Sequence, residues 1–150
     1  MATTTYSFKD LKGVITTAGG VFPLVGGNVG VGSITITMSE DRTVQDVAAD
    51  GSVMPSYVAG DNGSVSIEVQ QTSALHKYLL GAYNTVKSLA DAGVLATWAS
   101  GVISFITLLD GSTHQLTGVS FQRIPAKAYA AHGARVTWTL MACKVVNLNF

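Results

Sequence analysis

Charged residues are scarce in this 150-residue sequence. Charged residues make up 12% of the chain, and nine basic side chains balance nine acidic ones. This is about half of the usual share of charged residues. Because few charges and no net charge favour association, the composition favours a chain that assembles with other molecules. An ordinary monomer with a large core is the alternative.

Cysteine and membrane signals are also scarce. Cys143 is the only cysteine, which excludes a disulfide framework and predicts maturation in a reducing compartment. Residues 1–5 lack the basic and apolar blocks of a signal peptide. Residues 92–109 are uncharged and approach the length of a membrane span, but glycines and hydroxyl residues interrupt them. We therefore expect no membrane association and predict a helix end, a loop and a strand there.

Catalytic and metal-binding signatures are missing as well. His76, His114 and His132 have no metal-ligand spacing to one another, to Cys143 or to a pair of carboxylates. We expect His76 on the polar face of a helix and Cys143 as a small buried residue of a strand. No nucleophile elbow, phosphate loop or zinc-helix motif occurs. The sequence therefore predicts no catalytic, metal-binding or cofactor-binding residue, and a protein that is not an enzyme.

Specific nucleic-acid binding has no support, because the nine basic residues are dispersed and are not interleaved with aromatic ones. Residues 18–32 are rich in glycine and contain Pro23. No helical pattern follows them and no Lys-Ser or Lys-Thr pair closes them, which argues against a phosphate loop. We predict an irregular arm or linker over residues 18–32, suited to lie on a neighbouring subunit.

Two alternating segments, residues 33–39 and 64–70, are the strongest structural signal. Ile34 and Ile36 in the first, and Val65, Ile67 and Val69 in the second, alternate with polar residues. Such period-two alternation predicts half-buried antiparallel strands with one apolar face. The opposite face contains short polar side chains and no Lys or Arg; its members include Thr35, Thr37, Ser66, Glu68 and Gln70.

The segment between these strands, residues 40–63, predicts a projecting acidic hairpin. Asp50-Gly51 is a hairpin turn signal, and Pro55 favours an edge or a projecting strand. Residues 38–70 hold six of the nine acidic residues, whereas residues 71–150 hold six of the nine basic ones. Such regions can pair head to tail between copies or within one monomer. The candidate subunit or ring contacts are Asp46, Asp50, Met54, Arg123, Lys127 and Arg135.

One helix and further strands complete the predicted fold. Thr72 or Ser73 can cap a helix whose apolar residues recur at three- and four-residue spacing, and Gly93 suits its end. Residues 102–109, 114–122 and 137–146 are predicted strands. We therefore predict a single domain over residues 1–150 that is mainly β with one α-helix, an antiparallel β-sandwich or barrel with one flanking helix.

The chain resembles the tail tube proteins of contractile-tailed bacteriophages. The resemblance lies in residues 32–37, 49–54 and 63–73, and in the order strand, projecting loop, strand, helix and β meander. It implies hexameric rings that stack into a tube in the virion tail, assembled in the host cytoplasm. Sheath, baseplate and tail terminator proteins are the implied partners, and double-stranded DNA would pass without specific binding. The polar face named above would line the lumen.

Two other interpretations remain open. The first is a tube protein of a related contractile injection or secretion system, which would share the fold. The second is a small β-sandwich carbohydrate-binding module, which would need exposed aromatic residues in a cleft.

Overall fold

A computed structural model describes residues 3, 5–25 and 29–148, and a seven-stranded antiparallel sheet dominates it. The strand order is β2-β1-β7-β8-β9-β6-β3, and β4 and β5 form a separate hairpin. Helix α1 (Ala74–Asp91) follows β6. The strands are β1 (Leu11–Thr17), β2 (Gly20–Pro23), β3 (Val31–Met38), β4 (Thr43–Val47), β5 (Val53–Tyr57), β6 (Gly63–Gln70), β7 (Gly101–Thr107), β8 (Thr113–Phe121) and β9 (Arg135–Leu148).

The prediction of a mainly β chain with one flanking helix is confirmed. The sheet curls into a half-barrel rather than closing completely. Strands β2 and β3 lie at its two edges, since each pairs with a single neighbour among the described residues. Edge strands expose unpaired backbone N–H and C=O groups. The chain therefore presents two edges to which other strands can pair.

The core lies on one side of the sheet, against α1. Alternate residues of β6 and β9 point into it, and Val65, Ile67 and Trp138 have no exposed surface. Leu75 and Leu79 of α1 are completely buried against them. Because successive side chains of a strand point to opposite faces, this burial directs the intervening residues of β6 and β9 away from the core.

Helix α1 begins and ends where the sequence predicts. The Ser73 hydroxyl accepts a hydrogen bond from the backbone N–H of His76 at 3.2 Å, so Ser73 is the N-cap. Gly93 lies just beyond the helix with a φ of +94°, the left-handed conformation that commonly ends helices. No helix within residues 3, 5–25 and 29–148 has the length and apolarity needed to cross a bilayer.

The prediction of an irregular arm over residues 18–32 is wrong for β2, which pairs with β1. Tyr78 of α1 holds this hairpin in place: its hydroxyl donates to the carbonyl of Gly20, and its ring stacks on Phe22 with centroids 4.9 Å apart. Leu24, which follows β2, is completely buried. Residues 26–28 of the predicted arm lie outside the described residues. The contact with α1, rather than the local glycine content, therefore determines the structure of this segment.

His76 lies in the core rather than on the polar face of α1. Its side chain is 6% exposed, and its Nδ1 accepts a hydrogen bond from the Trp138 Nε1–H at 3.0 Å. This bond requires the neutral imidazole, because a protonated ring has no acceptor. Burial, followed by the positive charge of Lys127, lowers the pKa of His76.

Strand β8 contains a bulge at Gly118. Gly101 of β7 pairs with Val119, but the next residue, Val102, pairs with Thr117, so Gly118 is the extra residue. Gly118 has a φ of +63°, and a Cβ there would lie 2.8 Å from the Cβ of Cys143. Only glycine satisfies both constraints without strain.

Cys143 itself is exposed, so the prediction that it is buried is wrong. It follows the buried residue Ala142 on β9 and therefore points to the opposite face of the sheet.

The hairpin of β4 and β5 projects from the sheet, and every residue in its two strands is exposed. Pro55 lies opposite Gln45. Proline has no backbone N–H to donate to a neighbouring strand. Pro55 is tolerated because β5 pairs only with β4 in the described chain, so no second strand requires that N–H.

The variant Gly118→Ala should lower the free energy of unfolding by about 2–4 kcal/mol, since left-handed strain and overpacking against Cys143 add together. The matched control is Gly111→Ala, because Gly111 has a φ of +73° but nothing lies within 4 Å of a Cβ there. The control should lose about 1 kcal/mol. Urea unfolding measures both, and equal losses would contradict the proposed crowding.

Acidification should destabilise the fold through His76. The unfolded chain binds a proton on this imidazole near its ordinary pKa of 6.5, whereas the folded chain resists protonation. The free energy of unfolding is therefore retained above about pH 6.5 and falls as the pH drops below it. His76→Gln removes the titrating group and should flatten this slope in urea titrations at several pH values. Parallel slopes for the two proteins would show that His76 is not responsible.

Candidate functional surface

The face of the sheet opposite the core is largely polar across β3, β6 and β9, apart from the exposed Met141, which pairs with Ser64. Strand pairing places its residues in cross-strand rows, of which the central one joins Thr35, Ser66 and Thr139. A second row joins Ser33 to Glu68 and continues to Thr137. We call this surface the hydroxyl face; it comprises Ser33, Thr35, Thr37, Ser64, Ser66, Glu68, Gln70, Thr137 and Thr139.

The five polar residues singled out from the sequence all lie on this face. Thr35, Thr37 and Gln70 are exposed, while Ser66 and Glu68 are half-buried. They share a face because Ile34 pairs with Ile67 on the apolar side, which fixes the parity of both strands. The structure therefore brings these residues together, as the alternation indicates.

Sequence reasoning missed the contribution of β9 to this face. Thr137 and Thr139 alternate with Val136, Trp138 and Leu140, so the signal was present in the sequence. The missing information was that β9 pairs with β6, across more than sixty residues of chain between Gln70 and Arg135. That pairing widens the hydroxyl face from two strands to three.

One ion pair lies at an end of the hydroxyl face. The Arg135 guanidinium donates to the Glu68 carboxylate at 2.9 Å. The guanidinium lies over Gly32, where a Cβ would come within 2.5 Å of Nη1. Arg135, a predicted subunit contact, therefore also balances the only carboxylate of this face.

A basic cavity of about 450 Å³ lies beside Arg135, beneath the irregular segment that joins β8 to β9. Arg123 lines it from this segment, and the hydroxyl face contributes two threonines. Lys127 belongs to the same segment, with its ammonium 5.4 Å from the centroid of the exposed Tyr129 ring. We call this the basic cavity; its lining residues are Gln122, Arg123, Pro125, Ala126, Arg135, Thr137 and Thr139.

The acidic hairpin lies at the opposite end of the same strands. It leaves the sheet where Met38 of β3 pairs with Gly63 of β6. At its base, hydrogen bonding to Asp61 raises the pKa of Arg42. At its tip, the Asp50 carboxylate accepts the Ser52 N–H at 2.9 Å, which lowers the pKa of Asp50.

The hairpin and the basic cavity do not pair within one chain. The ion pairs among the described residues join Arg42 to Asp61, Lys87 to Asp91 and Arg135 to Glu68, and none links the hairpin to the β8–β9 segment. Asp46, Asp50 and Met54 therefore lie apart from Arg123, Lys127 and Arg135. Within the described part of the chain, no three His, Cys, Asp or Glu side chains are grouped to hold a metal ion.

Several solved structures share this fold. The chain is similar to the sheath/tube terminator of an extracellular contractile injection system (PVC, extended state), with a TM-score of 0.62, 11% identity and coverage of 99% of both chains. It is similar to the tube-terminating cap of the anti-feeding prophage (AFP), with a TM-score of 0.55 and 11% identity over 99% of this chain and 93% of the cap. At such identities the likeness concerns the fold alone.

A chain of the PVC sheath-tube complex in its extended state gives a TM-score of 0.55 at 12% identity, over 96% of this chain and 91% of the other. No curated protein matches the sequence. The family model described as bacteriophage PhiTE tail tube protein matches residues 1–148.

Proposed function

Since the chain belongs to the family of bacteriophage PhiTE tail tube proteins, we propose that it forms hexameric rings that stack into the inner tube of a contractile tail. Double-stranded DNA leaves the virion through the lumen of this tube. The observation that carries the proposal is the hydroxyl face, a largely polar surface whose one carboxylate, Glu68, is paired with Arg135. The chain is a structural component of the tail, assembled in the host cytoplasm.

The hydroxyl face suits a surface along which DNA slides. Lys and Arg side chains grip DNA because each contact with a phosphate releases condensed counterions. Short hydroxyl groups such as those of Thr35 and Ser66 keep the surface hydrated and carry no charge. Arg135 borders this face, and its pairing with Glu68 reduces the attraction it exerts on phosphate. In this proposal Thr35, Thr37, Ser66, Glu68 and Gln70 line the lumen, together with Thr137 and Thr139.

The two edges of the half-barrel support assembly into rings. Strands β2 and β3 leave backbone hydrogen-bonding groups unpaired, and such edges accept strands from other chains. A neighbouring copy that adds its sheet at β3 extends the hydroxyl face around a closed lumen. The sheath, baseplate and tail terminator proteins are the further partners of the assembled tube, and we propose no role for a membrane or a cofactor.

A tube or terminator protein of a contractile injection system is the second candidate function. Its support is the shared fold over nearly the whole chain, at a TM-score of 0.62 to the PVC terminator. A terminator caps a tube, so it forms single rings, whereas a tube protein polymerises into stacks of many rings.

Purified protein should form rings and tubes that lengthen as the protein concentration rises, because assembly buries edges that the monomer leaves exposed. Negative-stain electron microscopy over a concentration series measures this. Single rings that never lengthen would favour the terminator, and a monomer at all concentrations that binds glycans would favour the carbohydrate-binding interpretation.

Lysines placed in the lumen should slow DNA ejection. Thr35 and Ser66 are cross-strand partners on the hydroxyl face, so Thr35→Lys with Ser66→Lys places two cations side by side where DNA passes. We expect tubes of normal appearance and an ejection rate at least about tenfold lower at low salt, recovering as salt rises. Ejection is measured by the release of labelled DNA from particles assembled with the variant.

The matched control carries Thr35→Glu with Ser66→Glu. It introduces the same cross-strand repulsion with the opposite sign, so it should eject DNA at close to the normal rate. Equal ejection rates for the lysine and glutamate variants would show that this face does not meet the DNA.

A further inference from the structure

We infer that the basic cavity binds a backbone phosphate of the DNA that passes along the hydroxyl face, without regard to base sequence. The inference rests on the proposed tube function and deepens it by naming the chemical group of the DNA that each chain contacts and the place of that contact. Arg123 and Arg135 supply the positive charge, and Thr137 and Thr139 supply hydroxyl donors.

The basic cavity is continuous with the hydroxyl face. Thr137 and Thr139 belong to both, and Thr139 lies in the central cross-strand row beside Ser66. A molecule that moves along the hydroxyl face therefore passes directly beside the cavity. DNA presents its phosphates to such a surface, because most contacts between proteins and a duplex are made to the phosphates and sugars of its backbone.

Arg123 is the cation of the cavity that has no carboxylate partner. Its side chain is exposed and forms no ion pair within residues 3, 5–25 and 29–148. A guanidinium presents its N–H donors in a planar fork, which can hold two oxygens of one phosphate at the same time. Such charge-assisted hydrogen bonds are shorter than neutral ones and roughly twice as strong.

Arg135 contributes less attraction than Arg123. Its Nη1 donates to the Glu68 carboxylate at 2.9 Å, which leaves other N–H groups of the fork for a second acceptor. The negative charge of Glu68 repels a phosphate and offsets part of the attraction of Arg135. The site is therefore weak, which suits a contact that moving DNA must leave as readily as it forms.

The size and the surroundings of the cavity also fit a phosphate. Its volume of about 450 Å³ lies within the range of small-ligand sites, about 300–1,000 Å³. Residues 111–150 contain no Asp or Glu, so β8, β9 and the segment that joins them bring no side-chain carboxylate to the cavity. Lys127 of that segment adds a further positive charge.

DNA binding by the purified chain tests the contact. The probe is a short fluorescently labelled DNA duplex, whose anisotropy is measured over a series of salt concentrations. Each phosphate that a cation neutralises adds about −0.9 to the slope of log K against log salt. Arg123→Gln should therefore make this slope about 0.9 less negative and weaken binding at low salt by at least about threefold. Arg123→Lys keeps the charge and should keep the slope.

Lys77→Gln is the matched control, because it removes one exposed cation from α1, which packs on the core side of the sheet. It changes the net charge as Arg123→Gln does and should leave the slope and the affinity unchanged. Equal effects of the two variants, or an unchanged slope for Arg123→Gln, would overturn the contact. A hexaglutamate peptide that binds more tightly than the duplex would overturn the assignment to phosphate.

DNA ejection separates this inference from the proposed function. Because a phosphate contact slows moving DNA, particles with Arg123→Gln should release labelled DNA about twofold faster at low salt and at the unchanged rate at high salt. Unchanged ejection at low salt from particles with normal tubes would overturn the inference alone. If the unchanged protein forms neither rings nor tubes, the proposed function fails, and the salt slope of duplex binding still decides whether the cavity binds phosphate.

Discussion

The alternation of apolar and hydroxyl residues along β3, β6 and β9 is the constraint on which the rest of the structure depends. The core buries Val65, Ile67 and Trp138 against α1. Because side chains alternate along a strand, Ser66 and Thr139 then point to the opposite face. A shift of one residue in register would exchange the two faces and expose the core. The packing that stabilises the fold is therefore also what presents a largely polar surface on the opposite side of the sheet.

The single chain leaves parts of its own surface uncovered, and these parts are consistent with assembly. The half-barrel has two edges in the described chain, and the hairpin exposes Val47, Met54 and Tyr57. Few charges oppose association, because they make up 12% of residues and sum to zero. Of the remaining charges, Asp46 and Asp50 lie in the hairpin, whereas Arg123 and Arg135 line the basic cavity.

Several features required contacts that no local pattern contains. The glycine content predicted an irregular segment where β2 forms. The contacts that hold β2 in place come from the hydroxyl and ring of Tyr78, which is far away in the sequence. His76 falls at a polar position of the helix pattern, yet Trp138 supplies a buried donor that its Nδ1 accepts. The basic cavity likewise depends on how the β8–β9 segment folds over the threonines of β9. Each case joins residues that are distant along the chain.

The sequence by itself determined β3, β6 and β9 with their buried faces, the Ser73 cap of α1 and the projecting hairpin. These features depend on side-chain period, capping and turn geometry, which act over a few neighbouring residues. Only the tertiary structure decided that β9 lies beside β6, that Arg135 pairs with Glu68, and that the acidic and basic surfaces lie at opposite ends. Those outcomes depend on which distant strands pair, and that choice is made by packing the whole core at once rather than by any single segment.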